Sequence, residues 1–373
     1  MKILFISQNA SRSGAPIYLY RLINWLVQNY SINASILFID AGEMQNEFSF
    51  CDNKWMWNSF QNDKSIYRKI VGKISLKWKK KLYQRDLIFR IKKTKPGLIV
   101  ANTLISIPLS TKISEECNIP IVAIIHEMKF SAETYYSEYL NPSNFLKVNH
   151  FIAVTNDVKN FLKKDLNITS GKISLIHPFI VNTNITTRCN KNSEFVIGFS
   201  GYGNWRKGIF LLPILISLLA KHESDFRFLW LGHIPEEEKL QLNYILTQLN
   251  LDNIFCSTGY VDDPTTFYLK MDVFVLLSIE DPYPLACIEA SSFGIPIICF
   301  EKSGGACDFA INGAGFVVPF LDVNILKDTI LKLKSDDILR TNTCEGAKKQ
   351  AALHHIDIVA PKILDLFKKY IIK

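Results

Sequence analysis

Twice along this chain, apolar runs of strand length alternate with stretches long enough for a helix, and this rhythm limits the fold more than any single residue. The first series occupies residues 2–7, 35–39, 98–101, 121–125, 151–154 and 173–176. The second restarts at 195–200 and continues at 226–231, 254–256, 273–277, 297–300 and 315–318. Runs such as Ile121-Val122-Ala123-Ile124-Ile125 are apolar throughout, which marks strands buried on both faces. Helix-length connections between such strands require parallel pairing. Between 178 and 193 the pattern lapses into Asn, Thr and Lys and reads as a linker. The expected architecture is α/β, with domains over 1–185 and 186–355 and a C-terminal helix over 356–373 that could pack on either domain, the N-terminal one included. Ligands of such sheets bind outside the carboxyl ends of the strands, so two parallel sheets facing across a cleft would share a ligand.

Composition narrows the class of protein. With 373 residues and 48% hydrophobic content the chain can bury two or three cores. The apolar run over 210–220 is too short to span a bilayer and reads as a buried helix. The opening run over 2–7 resembles a strand rather than a signal peptide, since polar residues follow at once. Eight cysteines without close pairing, several inside apolar runs, suit reduced thiols and a cytoplasmic location.

The net charge of +8 is unevenly placed: residues 1–185 carry 24 Lys/Arg against 13 Asp/Glu, and the remainder 19 against 22. Residues 64–95 alone hold thirteen cations and one acid, Asp86. There Ile66, Ile70, Ile74, Trp78 and Leu82 recur at helical spacing among Lys69, Lys73, Lys77, Lys80 and Lys81. Such a stripe suits a helix lying on an anionic membrane surface, and equally a core-packed helix with a solvated basic face. No nucleic-acid-binding module accompanies the charge, so nucleic acid is not an expected partner.

The richest chemistry lies in Asp281-Pro282-Tyr283-Pro284-Leu285-Ala286-Cys287-Ile288-Glu289, two carboxylates eight residues apart across a strand-to-helix junction. A helix entered through the prolines and stopped by Gly294 and Pro296 would aim its first N–H groups, at Leu285 and Ala286, toward an anion. Upstream, Gly201, Gly203, Arg206 and Lys207 follow the strand over 195–200. This is not the dinucleotide fingerprint, because Arg206 stands at the third glycine position. The glycines suit close backbone approach, and the two cations suit a diphosphate. Gly304 and Gly305, in Ser303-Gly304-Gly305, offer further N–H groups to the same anion. In the first half, Gly14 permits an unusual backbone angle in the loop before a helix expected near Ile17. His126 and Glu127 end the strand over 121–125 at its carboxyl end. Metal is not expected: D-x-D and H-x-x-x-H are both missing from the sequence, and no other cofactor is implied.

Taken together these pieces resemble the retaining glycosyltransferases of the GT-B fold, family 4 (glycosyl transferases group 1). The similarity is strongest over 195–319, where the Gly201–Gly208 segment, Gly259-Tyr260-Val261, the Asp281–Glu289 segment and the glycines at 304 and 305 keep the family's order. It is weaker in the first half, through Gly14, His126-Glu127 and the run ending His177-Pro178. The resemblance implies two Rossmann-like domains and a nucleotide-diphosphate-sugar donor. Arg206 and Lys207 match the diphosphate-binding pair, Glu289 the carboxylate on the ribose hydroxyls, Asp281 the carboxylate on the donor sugar, and His126 the histidine near the transferred sugar. Two departures stand out: Asp281 replaces the usual Glu, with Glu280 beside it, and Ser13-Gly14 replaces Gly-Gly.

The implied activity is metal-independent transfer of a sugar, with retention, to a saccharide or lipid-linked saccharide in surface polysaccharide or glycolipid synthesis. The enzyme would be cytoplasmic, peripheral on the inner face of the membrane. Other reactions remain open at the level of residues: nucleotide-sugar hydrolysis, epimerisation, glycogen-type synthesis, or a catalytically dead sugar-nucleotide-binding scaffold.

Overall fold

The computed structural model describes residues 1–58, 76–181 and 194–372. Residues 64–75 of the basic segment and most of the expected linker lie outside the described residues. The chain forms two units, one of Met1–His177 with Ile356–Lys373 and the other of Pro178–His355.

The first unit carries a seven-stranded sheet: β1 (Lys2–Ser7), β2 (Asn33–Phe38), β3 (Asn53–Met56), β4 (Leu98–Asn102), β5 (Ile121–Ile125), β6 (His150–Ala153) and β7 (Ile173–Leu175). Their spatial order is β3-β2-β1-β4-β5-β6-β7, all parallel. The second unit carries β8 (Phe195–Ser200), β9 (Phe226–Leu231), β10 (Phe255–Ser257), β11 (Val273–Leu276), β12 (Ile297–Phe300) and β13 (Gly315–Val318). Its order is β10-β9-β8-β11-β12-β13, again parallel. These are Rossmann-like sheets, and each reverses its strand order once, between β1 and β4 and between β8 and β11. Connections diverge at that point, which opens a crevice above the carboxyl ends.

Burial follows the apolar runs. β4 and β5 are buried along their whole length, as strands covered on both faces must be. In the second unit the two faces of the sheet carry separate cores, one around Phe199, Leu215 and Trp230, the other around Phe274, Ile288 and Cys299. β3 breaks the sequence pattern: its short, half-polar run was not expected to pair, yet it adds an edge to β2. An edge strand has one neighbour and tolerates polar side chains there.

The basic segment is helical over Leu76–Thr94, but its core stripe is Leu87, Ile88 and Ile91. Trp78, expected to share an apolar stripe with Leu82, is 59% exposed, and Phe89 is 56% exposed. Lys81 and Lys93 lie over these rings, 5.5 and 4.6 Å from their centroids. Among the described residues no helix is long and apolar enough to cross a membrane.

The last helix, Ile356–Tyr370, belongs to the first unit. Phe367 is fully buried and meets the Phe5 ring edge-on at 6.5 Å. The Tyr370 hydroxyl pairs with His150 Nδ1 at 2.9 Å, and Trp25 Nε1 donates to Asp357 at 2.6 Å. Residues beyond the second unit thus supply part of the first unit's core. Phe367→Ala should therefore destabilise the first unit by about 3–5 kcal/mol. A thermal melt checks this, and an unchanged midpoint would show that the helix contributes nothing to the core.

Candidate functional site

In the second unit the loops after β8, β11 and β12 meet at the order reversal. The β8 loop turns at Gly201, where φ is +131° and an added Cβ would lie 2.8 Å from Lys207 Cε. Asn204 then caps a single 3-10 turn, Trp205–Lys207, its Oδ1 accepting the Lys207 N–H at 3.2 Å. The turn ends at Gly208, with φ +70° and its Cα so close to the Leu277 carbonyl that a Cβ would stand 1.9 Å from that oxygen. No L side chain fits there, and the contact presses the cationic turn against the end of β11.

That contact places Arg206 and Lys207 beside the Asp281 loop. Lys207 Nζ pairs with Asp281 Oδ2, and Arg206 stands 4.0 Å from Oδ1. Arg206 also donates to the Glu280 carbonyl at 2.8 Å, while the Ile279 N–H donates to the Arg206 carbonyl at 2.9 Å. The Asp281 side chain is 9% exposed and that of Lys207 13%, so this pair is screened little by solvent. The Asp281 N–H donates to the Ser303 carbonyl at 2.7 Å and Gly305 N–H to the Pro282 carbonyl at 2.8 Å. The 303–305 loop thus spends its Gly305 N–H on clamping the Asp281 turn, contrary to the expectation that this group faces an anion. Gly304 has φ +125° beside it.

The following helix runs Leu285–Ser292, with Pro284 at its N-cap. Leu285 and Ala286 are in its first turn, where N–H groups have no intrahelical acceptor. Glu289, half-buried one turn further, accepts a hydrogen bond from the Tyr268 hydroxyl at 3.2 Å. Arg206, Lys207 and Asp281 are thus brought together by the β8 and β11 loops, and Leu285, Ala286 and Glu289 lie on the helix that follows Asp281. Gly203 packs against Ile234, and its N–H donates to the His233 carbonyl at 2.8 Å, so it secures the loop.

The remaining predicted residues, Gly14 and His126, lie in the first unit. Gly14 begins the helix Gly14–Tyr30, three residues earlier than expected. Its φ is not positive and a Cβ there would meet nothing within 4 Å, so the backbone does not require glycine. His126, half-buried beyond β5, places Nε2 2.9 Å from Asn102 Oδ1, and its ring meets that of Tyr18 at 5.1 Å. Burial lowers its pKa to about 3, leaving it neutral near pH 7. Sequence reasoning passed over Asn102. Its signal was an amide closing an otherwise apolar strand at the carboxyl end.

Glu127 is buried beside it, each carboxylate oxygen 3.2 Å from the Leu104 N–H. The His126 N–H also donates to it at 3.2 Å. Burial raises its pKa to about 7, opposed by these N–H groups. An acid raised in this way binds its proton more tightly when folded. Its contribution to stability is present below the unfolded value of 4.5 and is lost as pH rises through about 7. Glu127→Gln removes that loss, so its stability relative to the native protein should climb between about pH 5 and pH 8. Urea titrations across that range measure it; parallel pH profiles for the two proteins would refute the raised pKa.

Comparison with known proteins bears on the family and the fold. Residues 48–182 match the model for Glycosyltransferase Family 4, and residues 184–350 the model for Glycosyl transferases group 1. A capsular polysaccharide biosynthesis glycosyltransferase, CapM of Staphylococcus aureus, is 28% identical over 43% of this chain and 42% of its own. A poly(glycerol-phosphate) alpha-glucosyltransferase of Bacillus subtilis is 21% identical over 87% of this chain and 50% of its own. The matches span half or less of these relatives' lengths. Among solved structures, Anabaena HepE in complex with UDP and glucose superimposes with a TM-score of 0.80 at 18% identity, covering 99% of this chain and all of that one. TarM gives 0.76 at 14% identity, covering 98% of both. With both halves matched in order and the fold shared throughout, the chain belongs to the GT-B glycosyltransferases of the family 4 type, glycosyl transferases group 1.

Proposed function

We propose that this protein transfers a sugar, with retention, from a nucleoside-diphosphate donor to a saccharide or lipid-linked saccharide acceptor in surface glycan synthesis. The observation that carries this reading is the cluster of Arg206 and Lys207 around the buried Asp281 carboxylate at the end of β11. Two relatives are named for capsular polysaccharide biosynthesis and for alpha-glucosyl transfer to poly(glycerol-phosphate), and an Escherichia coli relative, 27% identical over 38% of this chain and 37% of its own, is named for UDP-Gal and a diphosphoundecaprenol-linked GlcNAc.

In this reading the donor diphosphate binds Arg206, Lys207 and the first-turn N–H groups at Leu285 and Ala286, with Gly201 and Gly304 allowing close backbone approach and Gly203 securing the loop. Lys207 then divides its charge between the phosphate and Asp281. The Asp281 carboxylate, partly released, accepts hydroxyls of the donor sugar, while Glu289 accepts those of the ribose. His126 contacts the transferred sugar, and Gly14 leaves room for the acceptor. The acceptor oxygen forms its bond to the anomeric carbon as the bond from that carbon to the phosphate oxygen breaks on the same face. The acceptor proton passes to the leaving phosphate oxygen. Positive charge on Arg206 and Lys207 stabilises the diphosphate as it departs, and no side chain acts as a nucleophile.

The exposed Trp78 and Phe89 and the cations of the Leu76–Thr94 helix suit contact with an anionic membrane holding a lipid-linked acceptor, each cation near the surface adding about 1 kcal/mol.

Three measurements test these readings. Lys207→Ala should lower turnover per folded molecule by roughly 10²–10³ while Arg206 remains to accompany Asp281; native turnover in the folded variant would overturn the assignment. A thermal-shift screen over nucleoside-diphosphate sugars should raise the midpoint with one donor class, and the same donor should yield a glycosylated acceptor rather than free sugar. For the membrane contact, flotation with vesicles containing anionic lipid should exceed that with neutral vesicles; equal flotation would remove the electrostatic part.

A further inference from the structure

The carboxyl ends of β1, β4 and β5 are joined by a short relay of polar groups centred on Asn102, which is fully buried. Its Nδ2 lies 3.1 Å from the carbonyl of Ala15, in the first turn of the Gly14–Tyr30 helix, and its Oδ1 lies 2.9 Å from His126 Nε2. A carbonyl oxygen only accepts, so the amide must turn its nitrogen to Ala15 and its oxygen to the ring. An amide oxygen also only accepts, so the ring nitrogen facing it must carry hydrogen. Since His126 is neutral, with burial holding its pKa near about 3, its one ring proton sits on Nε2 and Nδ1 keeps its lone pair.

The backbone around Asn102 is built to hold this arrangement. The Asn102 carbonyl accepts the Ser106 hydroxyl at 2.7 Å. Thr103, next in sequence, has φ +83°, an unfavourable conformation for a β-branched residue. That conformation is pinned from the side of β5: the Thr103 N–H donates to the Ile124 carbonyl at 2.8 Å, and the Leu104 N–H to Glu127 at 3.2 Å. The strand that carries His126 therefore also sets the turn that aims Asn102 at it. Tyr18 packs edge-on against the ring from the helix that supplies the Ala15 carbonyl.

We propose that Asn102 is a positioning residue that holds His126 as its Nε2–H tautomer, so that the ring presents Nδ1 as a hydrogen-bond acceptor. The ligand group this selects is a hydroxyl, which donates to Nδ1, and not a phosphate oxygen, which would face a lone pair. Under the transferase reading, on which this consequence rests, His126 recognises an O–H of the transferred sugar and leaves the diphosphate to the second unit. The Ala15–Asn102 bond also couples the start of the Gly14–Tyr30 helix to the histidine, so the two first-unit features singled out in the sequence act together.

The test is long-range 1H–15N correlation of the full-length protein labelled with 15N-histidine, with the His126 signals assigned by their loss in His126→Gln. The native spectrum should show the neutral Nε2–H pattern around pH 7, and Asn102→Ala should shift it to the Nδ1–H form or a mixture. A native Nδ1–H pattern, or an unchanged pattern in folded Asn102→Ala, would overturn the proposal; should that variant not fold, the native spectrum decides alone. In kinetics, Asn102→Ala should lower turnover about tenfold or more while the thermal shift given by the nucleoside diphosphate alone stays at its native value. Native turnover in His126→Ala alongside the Nε2–H spectrum would uphold the tautomer and refute only the assigned contact with sugar.

Discussion

Parallel pairing is the constraint from which the rest of this molecule follows. A parallel strand cannot return through a tight turn, so each connection crosses a face of the sheet and each strand end of one polarity gathers at the same edge. Where the order reverses, beside β1 and again beside β8, neighbouring connections leave in opposite directions and no helix covers the strand ends. Every residue that carries chemical interest stands on one of those edges. Arg206 and Lys207 follow β8, Asp281 follows β11, the clamp at 303–305 follows β12, Asn102 ends β4 and His126 follows β5.

The two edges handle buried charge in opposite ways. Asp281 is buried with cations beside it, which offset the cost of taking a carboxylate out of water. Glu127 is buried beside N–H groups of Leu104 and His126 and carries a raised pKa near about 7. The first edge is therefore a charged site suited to an anion, the second a nearly neutral one suited to hydroxyls. The difference arises from which strand end received lysine and arginine.

Much of this was legible in the sequence because it depended on local pattern. Twelve of the strands follow from apolar runs, and the Leu285–Ser292 helix from its prolines and Gly294. What escaped was non-local. β3 contains Asn53 and Lys54 and pairs only because β2 offers it an edge. Gly14 was read as conformationally special, whereas its backbone is ordinary and only the open space around it distinguishes it. Gly305 was expected to serve an anion, but the Pro282 carbonyl, remote from it in sequence, takes its N–H. Asn102 was invisible because its meaning depends on Ala15 and His126, which the topology brings together from two other strand ends.

The shortened carboxylate at 281 is the departure from family pattern that the structure explains best. Its backbone is tied twice, by its own N–H to Ser303 and by Arg206 to the preceding carbonyl of Glu280. Gly208, flush against Leu277, brings the Lys207 turn so near that an aspartate reaches the ammonium without another methylene. A longer side chain from the same tethered backbone would have to fold back or push past Lys207. The close approach of the β8 loop at Gly208 and the doubly tied backbone at 281 thus act together, holding the Lys207 ammonium on a carboxylate that is almost wholly withdrawn from water.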